Sequence, residues 1–166
     1  MTYTPTMFMC DRQLSGTGTV VTLGNIPTNG YSNLIIKGSI RTNVGGNLDT
    51  LGLFFNNDLT LSNYRVLDML AGASGTVAGN YIVCNGNGAT AGYFGNFNTV
   101  VYQYSNTSVR KVSITDNLMN TTTGTINWYT RGQSWDSFST ITRIDIKTLL
   151  GASFISGGWI ELWATL

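Results

Sequence analysis

The carboxyl groups are the first residues to examine for chemistry, because two of them facing each other across a cleft can carry out glycoside hydrolysis. The candidates are Asp58, Asp68, Asp116, Asp136, Asp145 and Glu161. Asp58 and Asp116 adjoin asparagines in turn-like contexts, where such side chains commonly cap their own backbone. Asp145 alternates with Arg143 on the outer side of a predicted strand. This pattern favours structural roles over catalysis.

The sequence contains no histidine, which excludes the kinds of catalysis that depend on that side chain. Without it, no side chain titrates near neutral pH unless its environment is perturbed, and a Ser-His-Asp triad cannot form. The sequence also lacks a Gly-x-Ser-x-Gly motif and a phosphate-binding loop. Cys10 and Cys84 have no metal-ligand or Cys-x-x-Cys spacing, so we expect two free thiols. We predict that the protein is not an enzyme and uses no cofactor.

Oxygen-rich turns offer a calcium site as an alternative, since Ca²⁺ takes about six to eight oxygen ligands. Asn56-Asn57-Asp58 together with Asp49, or Asp116-Asn117, could supply some of them. The spacing matches no calcium-binding loop, so turn formation is the favoured interpretation and no metal site is predicted.

An aromatic cluster suggests a carbohydrate site as another alternative. Trp128, Tyr129, Trp135 and Phe138 surround Arg131 and Asp136. An exposed Trp or Tyr can stack on a pyranose ring while Asp, Asn or Arg binds its hydroxyls. Core packing explains Trp128 equally well, and Trp135, in a predicted loop, is expected to be the more exposed. The candidate glycan contacts are Trp128, Trp135 and Asp136.

These residues must be positioned by a fold that the composition predicts to be all-β. Thr, Asn, Ser and Gly make up nearly half of the chain; Thr favours strands, and the other three favour turns. Residues 62–72 contain the one plausible helix, but Gly72 and Gly75 would stop it early, so a strand is favoured there. The strand candidates are 19–23, 33–41, 50–55, 62–72, 80–84, 98–104, 109–115, 125–130, 139–147 and 159–163. About 8–10 short strands separated by Gly/Asn turns are typical of a sandwich or a barrel.

Residues 1–18 lack a sustained hydrophobic period, which predicts an N-terminal arm or extended segment followed by a single domain over 19–166. In the last strand, Ile160 and Leu162 share one face, and Trp159 and Trp163 lie opposite. Tryptophans facing away from the core need a partner surface. Ile35 also breaks the alternation of its strand, which suggests a partly covered outer face. The candidate interface residues are Met7, Phe8, Met9, Trp159 and Trp163.

The chain carries too little charge to attract a strongly charged partner. Charged residues are 10% of the chain and the formal net charge is +1, against the ~25% charged residues of typical domains. This argues against nucleic acid and an anionic membrane surface as partners. Neither a secretory signal nor an apolar run of ~20 residues is visible. We therefore expect the chain to be made and folded in a cytoplasm.

Seven phrases of the sequence are distinctive, at 26–27, 31–41, 51–58, 62–64, 141–146, 151–154 and 157–162. Together they resemble small β-sandwich proteins of tailed-bacteriophage virions, which serve as capsid decorations or as head- and tail-fibre modules. Similar proteins show an Ile-Pro opening before a strand, a Phe-Asn-x-Asp turn, and a closing Phe-x-x-Gly-Ser-x-Ile-x-Leu strand. Here Gly158 replaces the Ser of the closing phrase. The resemblance implies an antiparallel, jelly-roll-like sandwich, often a symmetric oligomer on an icosahedral shell, with no catalytic residues.

We therefore predict a virion protein, a decoration or cement protein that binds between capsid subunits and stabilises the head. Its expected partners are the major capsid protein and copies of itself, in a homotrimer. A low-charge surface lets many copies pack with little repulsion, and multivalent attachment makes weak single contacts sufficient. The alternative is a receptor- or carbohydrate-binding module of a head or tail fibre, with a surface glycan as ligand.

Overall fold

The computed structural model describes residues 6–68, 76–78, 81–122 and 125–166. They contain twelve β-strands and one short 3₁₀ turn (Leu61–Asn63). The all-β prediction is confirmed, and the strand favoured over a helix near residue 65 is β5; residues 69–72 of that prediction lie outside the described residues. The sequence missed β1 and β6. Among the described residues, no helix is long and apolar enough to cross a membrane. The strands are β1 (Thr6–Gln13), β2 (Val20–Leu23), β3 (Asn33–Ile40), β4 (Leu48–Phe55), β5 (Tyr64–Asp68), β6 (Thr76–Ala78), β7 (Tyr81–Asn85), β8 (Gly95–Tyr102), β9 (Lys111–Thr122), β10 (Thr125–Trp135), β11 (Ile144–Thr148) and β12 (Trp159–Thr165).

Two antiparallel sheets pack face to face as a β-sandwich. The larger sheet has the order β1-β12-β3-β8-β9-β10-β5-β6, and the smaller has β2-β11-β4-β7. Four nested pairs, β1 with β12, β2 with β11, β3 with β8 and β4 with β7, alternate between the sheets. This nesting is the topology of a jelly roll. The remaining strands β9, β10, β5 and β6 extend the larger sheet beyond β8.

Side-chain alternation explains where the core lies. Leu34, Ile36 and Ile40 of β3 point into the sandwich, as their period of two predicts, and are fully buried. Ile160 and Leu162 of β12 do the same, which leaves Trp159 and Trp163 on the outer face as expected. Each such apolar side chain contributes roughly 1.5–3 kcal/mol on burial. Packing of these side chains in the core therefore fixes which alternate residues of the larger sheet face outward.

The predicted arm over residues 1–18 contains a strand of the larger sheet. β1 pairs with β12 from Thr6 opposite Thr165 to Gln13 opposite Trp159, so residues 6–13 do not stand apart from the sandwich. A bulge between Phe8 and Cys10 breaks the period of two, which hides the strand from pattern analysis. Residues 1–5 lie outside the described residues.

Arg41 also departs from its predicted position. Its alternation with Lys37 and Ser39 predicts an outward side chain, but Arg41 is buried. β3 ends at Ile40, so the alternation of the strand no longer governs the next residue. The guanidinium of Arg41 donates to four backbone carbonyls of one loop, those of Thr90 at 2.6 Å, Ala89 at 2.8 Å, Tyr93 at 3.1 Å and Asn87 at 3.3 Å.

The loop that Arg41 holds begins at the glycine-rich segment 85–88, which the sequence predicts as a hairpin turn. β7 and β8 belong to different sheets, so this segment instead carries the chain across the sandwich. A Cβ on Gly86 would lie 2.2 Å from the carbonyl oxygen of Gly46, and one on Gly88 would lie 2.7 Å from that of Gly45. Close backbone approach therefore requires these glycines.

Polar side chains of the larger sheet cover the edge of the smaller one at β7. The backbone N–H of Val83 donates to Asn117 Oδ1 at 2.8 Å, and Gln133 Nε2 donates to the carbonyl of Tyr81 at 2.7 Å. Asn117 and Gln133 lie on the inner face of β9 and β10, where they take the place of a further strand. This edge is thereby blocked against pairing with another chain.

Candidate binding face of the larger sheet

The outer face of the larger sheet is built from rows of residues that face each other across neighbouring strands. The antiparallel register places one outward residue of each strand in a row that crosses the sheet. Neighbouring rows are two residues apart along each strand, about 7 Å. The rows bring together residues that are far apart in the sequence.

The apolar residues of two neighbouring rows form an exposed apolar band, which is interrupted on β10 by Gly132 and Ser134 and ends on β5 beside Arg65. It runs from β1 to β5, six strand spacings or about 29 Å. Most of its members are exposed, although the central ones on β12, β3 and β8 are half-buried. We call these residues the apolar band: Phe8, Trp163, Ile35, Val100, Ile114, Leu67, Tyr102 and Val112.

Trp163 is held in a fixed orientation within the apolar band. Its ring lies 5.0 Å from that of Phe8 in an edge-on arrangement. Its indole N–H donates to Glu161 Oε2 at 3.1 Å, and Lys37 Nζ lies 5.9 Å from the ring centroid. The side chain is nevertheless half-exposed. The band therefore presents a preorganised aromatic pair at the β1 end of the sheet.

The structure places the predicted interface residues in different surroundings. Phe8 and Trp163 meet in the apolar band. Met7 is exposed and its sulfur accepts a hydrogen bond from the Tyr31 hydroxyl at 3.0 Å. Met9, the residue at the bulge of β1, is half-buried and packs against the core. Trp159 is half-buried in a different row, opposite Gln13 and Ser39.

Sequence reasoning did not identify Val100, Ile114 and Leu67 as members of this surface. Each occupies an outward position in its strand, so period-two analysis assigns it to the solvent face. The signal that could have found them is the one noted at Ile35, an apolar residue on an outward position. Combining such residues into one surface requires the register between strands.

A polar row separates the apolar band from a groove beside Trp128. The row consists of Asp11, Glu161, Lys37, Asn98, Asp116 and Thr130. Beyond it, Trp128 of β10 faces Leu118 of β9, which faces Asn96 of β8. The resulting groove has a volume of about 350 Å³. We call it the Trp128 groove; it is lined by Asn96, Phe97, Asn98, Asp116, Asn117, Leu118 and Trp128.

The predicted glycan contacts do not form one site. Trp135 was expected to be exposed in a loop, but β10 continues to this residue and Trp135 is only 3% exposed. Trp128 and Trp135 are seven residues apart in one strand, an odd separation that places them on opposite faces. Asp136 instead forms an ion pair with Arg110 at 2.7 Å. Trp128, for which the sequence left core packing and exposure equally open, is 68% exposed.

Trp135 is part of a buried aromatic cluster that is joined to Asp58. Its ring centroid lies 5.6 Å from that of Phe55 and 6.3 Å from that of Tyr64. The indole N–H of Trp135 donates to Asp58 Oδ2 at 2.9 Å, and Asn63 Nδ2 donates to the same oxygen at 2.9 Å. The Tyr64 hydroxyl donates to the Asp58 carbonyl at 2.9 Å. Asp58 therefore anchors the turn after β4 to the core.

These contacts set the protonation of Asp58. Burial alone would raise the pKa of its carboxyl group, but the hydrogen bonds from Trp135, Asn63 and Thr60 outweigh burial and lower the pKa below its ordinary value. A carboxyl group whose pKa is lower in the folded than in the unfolded state stabilises the fold above the unfolded value of about 4. That stabilisation is lost as the pH falls through the folded pKa.

We expect Asp58→Asn to remove this acid sensitivity. Above pH 5 the variant should unfold at a lower temperature than the wild type, because it lacks the charged acceptor. As the pH falls below about 4, the two melting temperatures should converge, since the wild-type carboxylate becomes protonated. Circular dichroism melts across this range measure the difference. A constant gap from pH 6 to pH 2 would contradict the role assigned to Asp58.

Asp145 and Asp49 each have partners of their own. Asp145 is buried and accepts hydrogen bonds from Thr22 at 2.6 Å and from Arg143 at 2.8 Å. Asp49 accepts from Thr42 at 2.7 Å. The side chain of Asp68 lies outside the described part of the structure.

The calcium alternative is not assembled by the described residues. Asp49 and Asp58 lie at opposite ends of β4, separated by on the order of 20 Å of strand. Within the described residues, no group of three or more cysteine, aspartate or glutamate side chains is placed to hold a metal ion. Cys10 and Cys84 are both free, as expected.

Comparison of the chain with models of known protein families, with curated proteins and with solved structures finds no match. The resemblance to bacteriophage virion proteins therefore stays a prediction, and the outer face has to be interpreted from its own geometry.

Proposed function

We propose that this chain is a structural protein of a virus particle, which binds through the apolar band to the capsid as a decoration or cement protein. The observation that carries the proposal is the band itself, a row of apolar side chains across most of the larger sheet. Exposed apolar patches of this kind mark interaction surfaces in soluble proteins. The jelly roll, a fold used by viral capsid domains, supports the same assignment.

The charge distribution supports many-copy assembly. With a formal net charge of +1, copies placed side by side repel each other little. Among the side chains of the apolar band only the Tyr102 hydroxyl is ionisable, which keeps the cost of desolvation low, and the exposed Arg65 lies at the β5 end of its second row. Multivalent attachment would add to the affinity of each contact. We propose the major capsid protein and neighbouring copies of this chain as the partners, and a homotrimer as the bound form.

The proposal is tested by adding purified chain back to particles that lack it. Wild-type chain should sediment with the particles and raise the temperature at which they release their genome. Val112→Lys places a charge in the apolar band and should weaken binding more than tenfold, because an unpaired charge would be buried. Sedimentation at several chain concentrations gives the affinity.

Val20→Lys is the matched control. Val20 is 46% exposed and Val112 is 49% exposed, and both lie in strands, but Val20 belongs to the smaller sheet. The control variant should bind as the wild type does. Equal binding of both variants would exclude the apolar band as the contact, and particles that are equally stable with and without the chain would exclude the proposed function.

A further inference from the structure

The Trp128 groove is spatially separate from the apolar band. Leu118 in the groove and Ile114 in the band are four residues apart on β9, about 13 Å, and the polar row between them contributes Asn98 and Asp116 to the lining of the groove. A ligand in the groove would therefore have contacts of its own, with Trp128 and Leu118, when a partner is bound to the band. The groove can have a function that the proposed capsid contact does not use.

Trp128 provides the apolar platform of the groove. Its side chain is 68% exposed in the middle of a strand, and its cross-strand neighbour Leu118 is exposed as well. Within the described residues, no aromatic ring packs against that of Trp128. A large aromatic side chain that packing does not require is suited to stack on an apolar ligand face.

Polar atoms without protein partners lie next to this platform. Thr130 Oγ1 donates to Asp116 Oδ1 at 2.6 Å, which leaves Asp116 Oδ2 without a hydrogen bond from any described residue. Asn98 Oδ1 is buried and also has no partner in the described structure. A buried polar atom left unpaired costs about 1–3 kcal/mol. This cost falls on Asn98 Oδ1, which is closed to a ligand, whereas Asp116 is half-buried and its second oxygen can accept a hydrogen bond from one.

We propose that the Trp128 groove binds a pyranose ring of a neutral glycan. The apolar C–H face of the sugar would stack on Trp128, and one of its hydroxyls would donate to Asp116. The amide of Asn96, at the rim, can both donate to and accept from a second hydroxyl.

Charge selects neutral over acidic sugars. Asp116 is a carboxylate in the polar row that borders the groove, and a sialic or uronic acid placed beside it would be repelled. The nearest cation in the polar row is Lys37 of β3, which lies over the ring of Trp163, on the side away from Asp116. A neutral hexose therefore fits this site better than an acidic sugar.

The test is binding of the purified chain to a printed array of neutral and sialylated oligosaccharides, followed by calorimetry with the strongest neutral oligosaccharide. Neutral glycans should bind, Trp128→Ala should weaken the affinity about tenfold or more, and Trp128→Phe should retain part of it. Asp116→Asn should also weaken the affinity, because the amide is a poorer acceptor than the carboxylate.

Ile126→Ala is the matched control, since Ile126 is 67% exposed on the same strand and the same face but does not line the groove. It should bind within about twofold of the wild type, and all variants should keep the wild-type melting temperature. Three outcomes would overturn the proposal: no neutral glycan bound, a preference for sialylated glycans, or unchanged affinity in Trp128→Ala. None of them affects the capsid-binding test, which depends on Val112.

Discussion

Replacing Arg41 with methionine is expected to lower the free energy of unfolding by about 3 kcal/mol or more. The guanidinium donates to four carbonyls of the loop between β7 and β8, at 2.6 to 3.3 Å. Methionine fills much of the volume but donates no hydrogen bond. The Ala89 carbonyl would be left buried without a donor, the partly buried contacts to Thr90, Tyr93 and Asn87 would be lost, and the loop that joins the two sheets would loosen.

Urea denaturation of the variant measures this loss, and hydrogen exchange of the amides in 86–93 locates it. Arg110→Met is the control, because Arg110 is exposed and paired with Asp136 on the surface. Surface ion pairs contribute about 0–1 kcal/mol, so this variant should stay close to the wild type. Equal destabilisation by the two substitutions would show that the carbonyl contacts of Arg41 do not hold the loop.

Trp135→Ala is expected to cost about 3–5 kcal/mol of stability. The indole packs between Phe55 and Tyr64, so its removal leaves a cavity in the core. It also removes the hydrogen bond to Asp58, which would raise the pKa of that carboxyl group and shift acid unfolding to higher pH. Trp135→Phe should retain most of the packing and lose the hydrogen bond alone.

Trp128→Ala is the comparison for this substitution. Because Trp128 is exposed, its removal should change stability by no more than about 0.5 kcal/mol. Denaturation followed by circular dichroism avoids any dependence on tryptophan fluorescence. If the two alanine variants were equally stable, Trp135 would not be the core residue that its burial indicates.

The predictions for Trp135 and Trp128 distinguish two positions that are alike in the sequence. Both tryptophans stand near polar residues within one stretch of chain, and both were candidate glycan contacts. Their roles differ because β10 extends through residue 135 and turns alternate side chains to opposite faces. The prediction for Trp135 failed because the end of the strand was placed too early.

The candidate interface was predicted in part. The aromatic residues Phe8 and Trp163 were identified because one lies in an apolar run and the other opposite the core face of its strand. Their contact with each other, and their continuity with Ile114, depend on pairing between the first strand, the last strand and the middle of the chain. No local pattern contains that information.

The sequence by itself determined the all-β class and the inward and outward residues of most strands. These follow from composition, from turn residues and from the period of two, which are local properties. The tertiary structure decided the jelly-roll pairing, the burial of Arg41 and Trp135, and the rows that form the apolar band and the Trp128 groove. The physical reason is that strand register is set by long-range packing of the whole core, and a shift of one residue would turn every side chain to the other face.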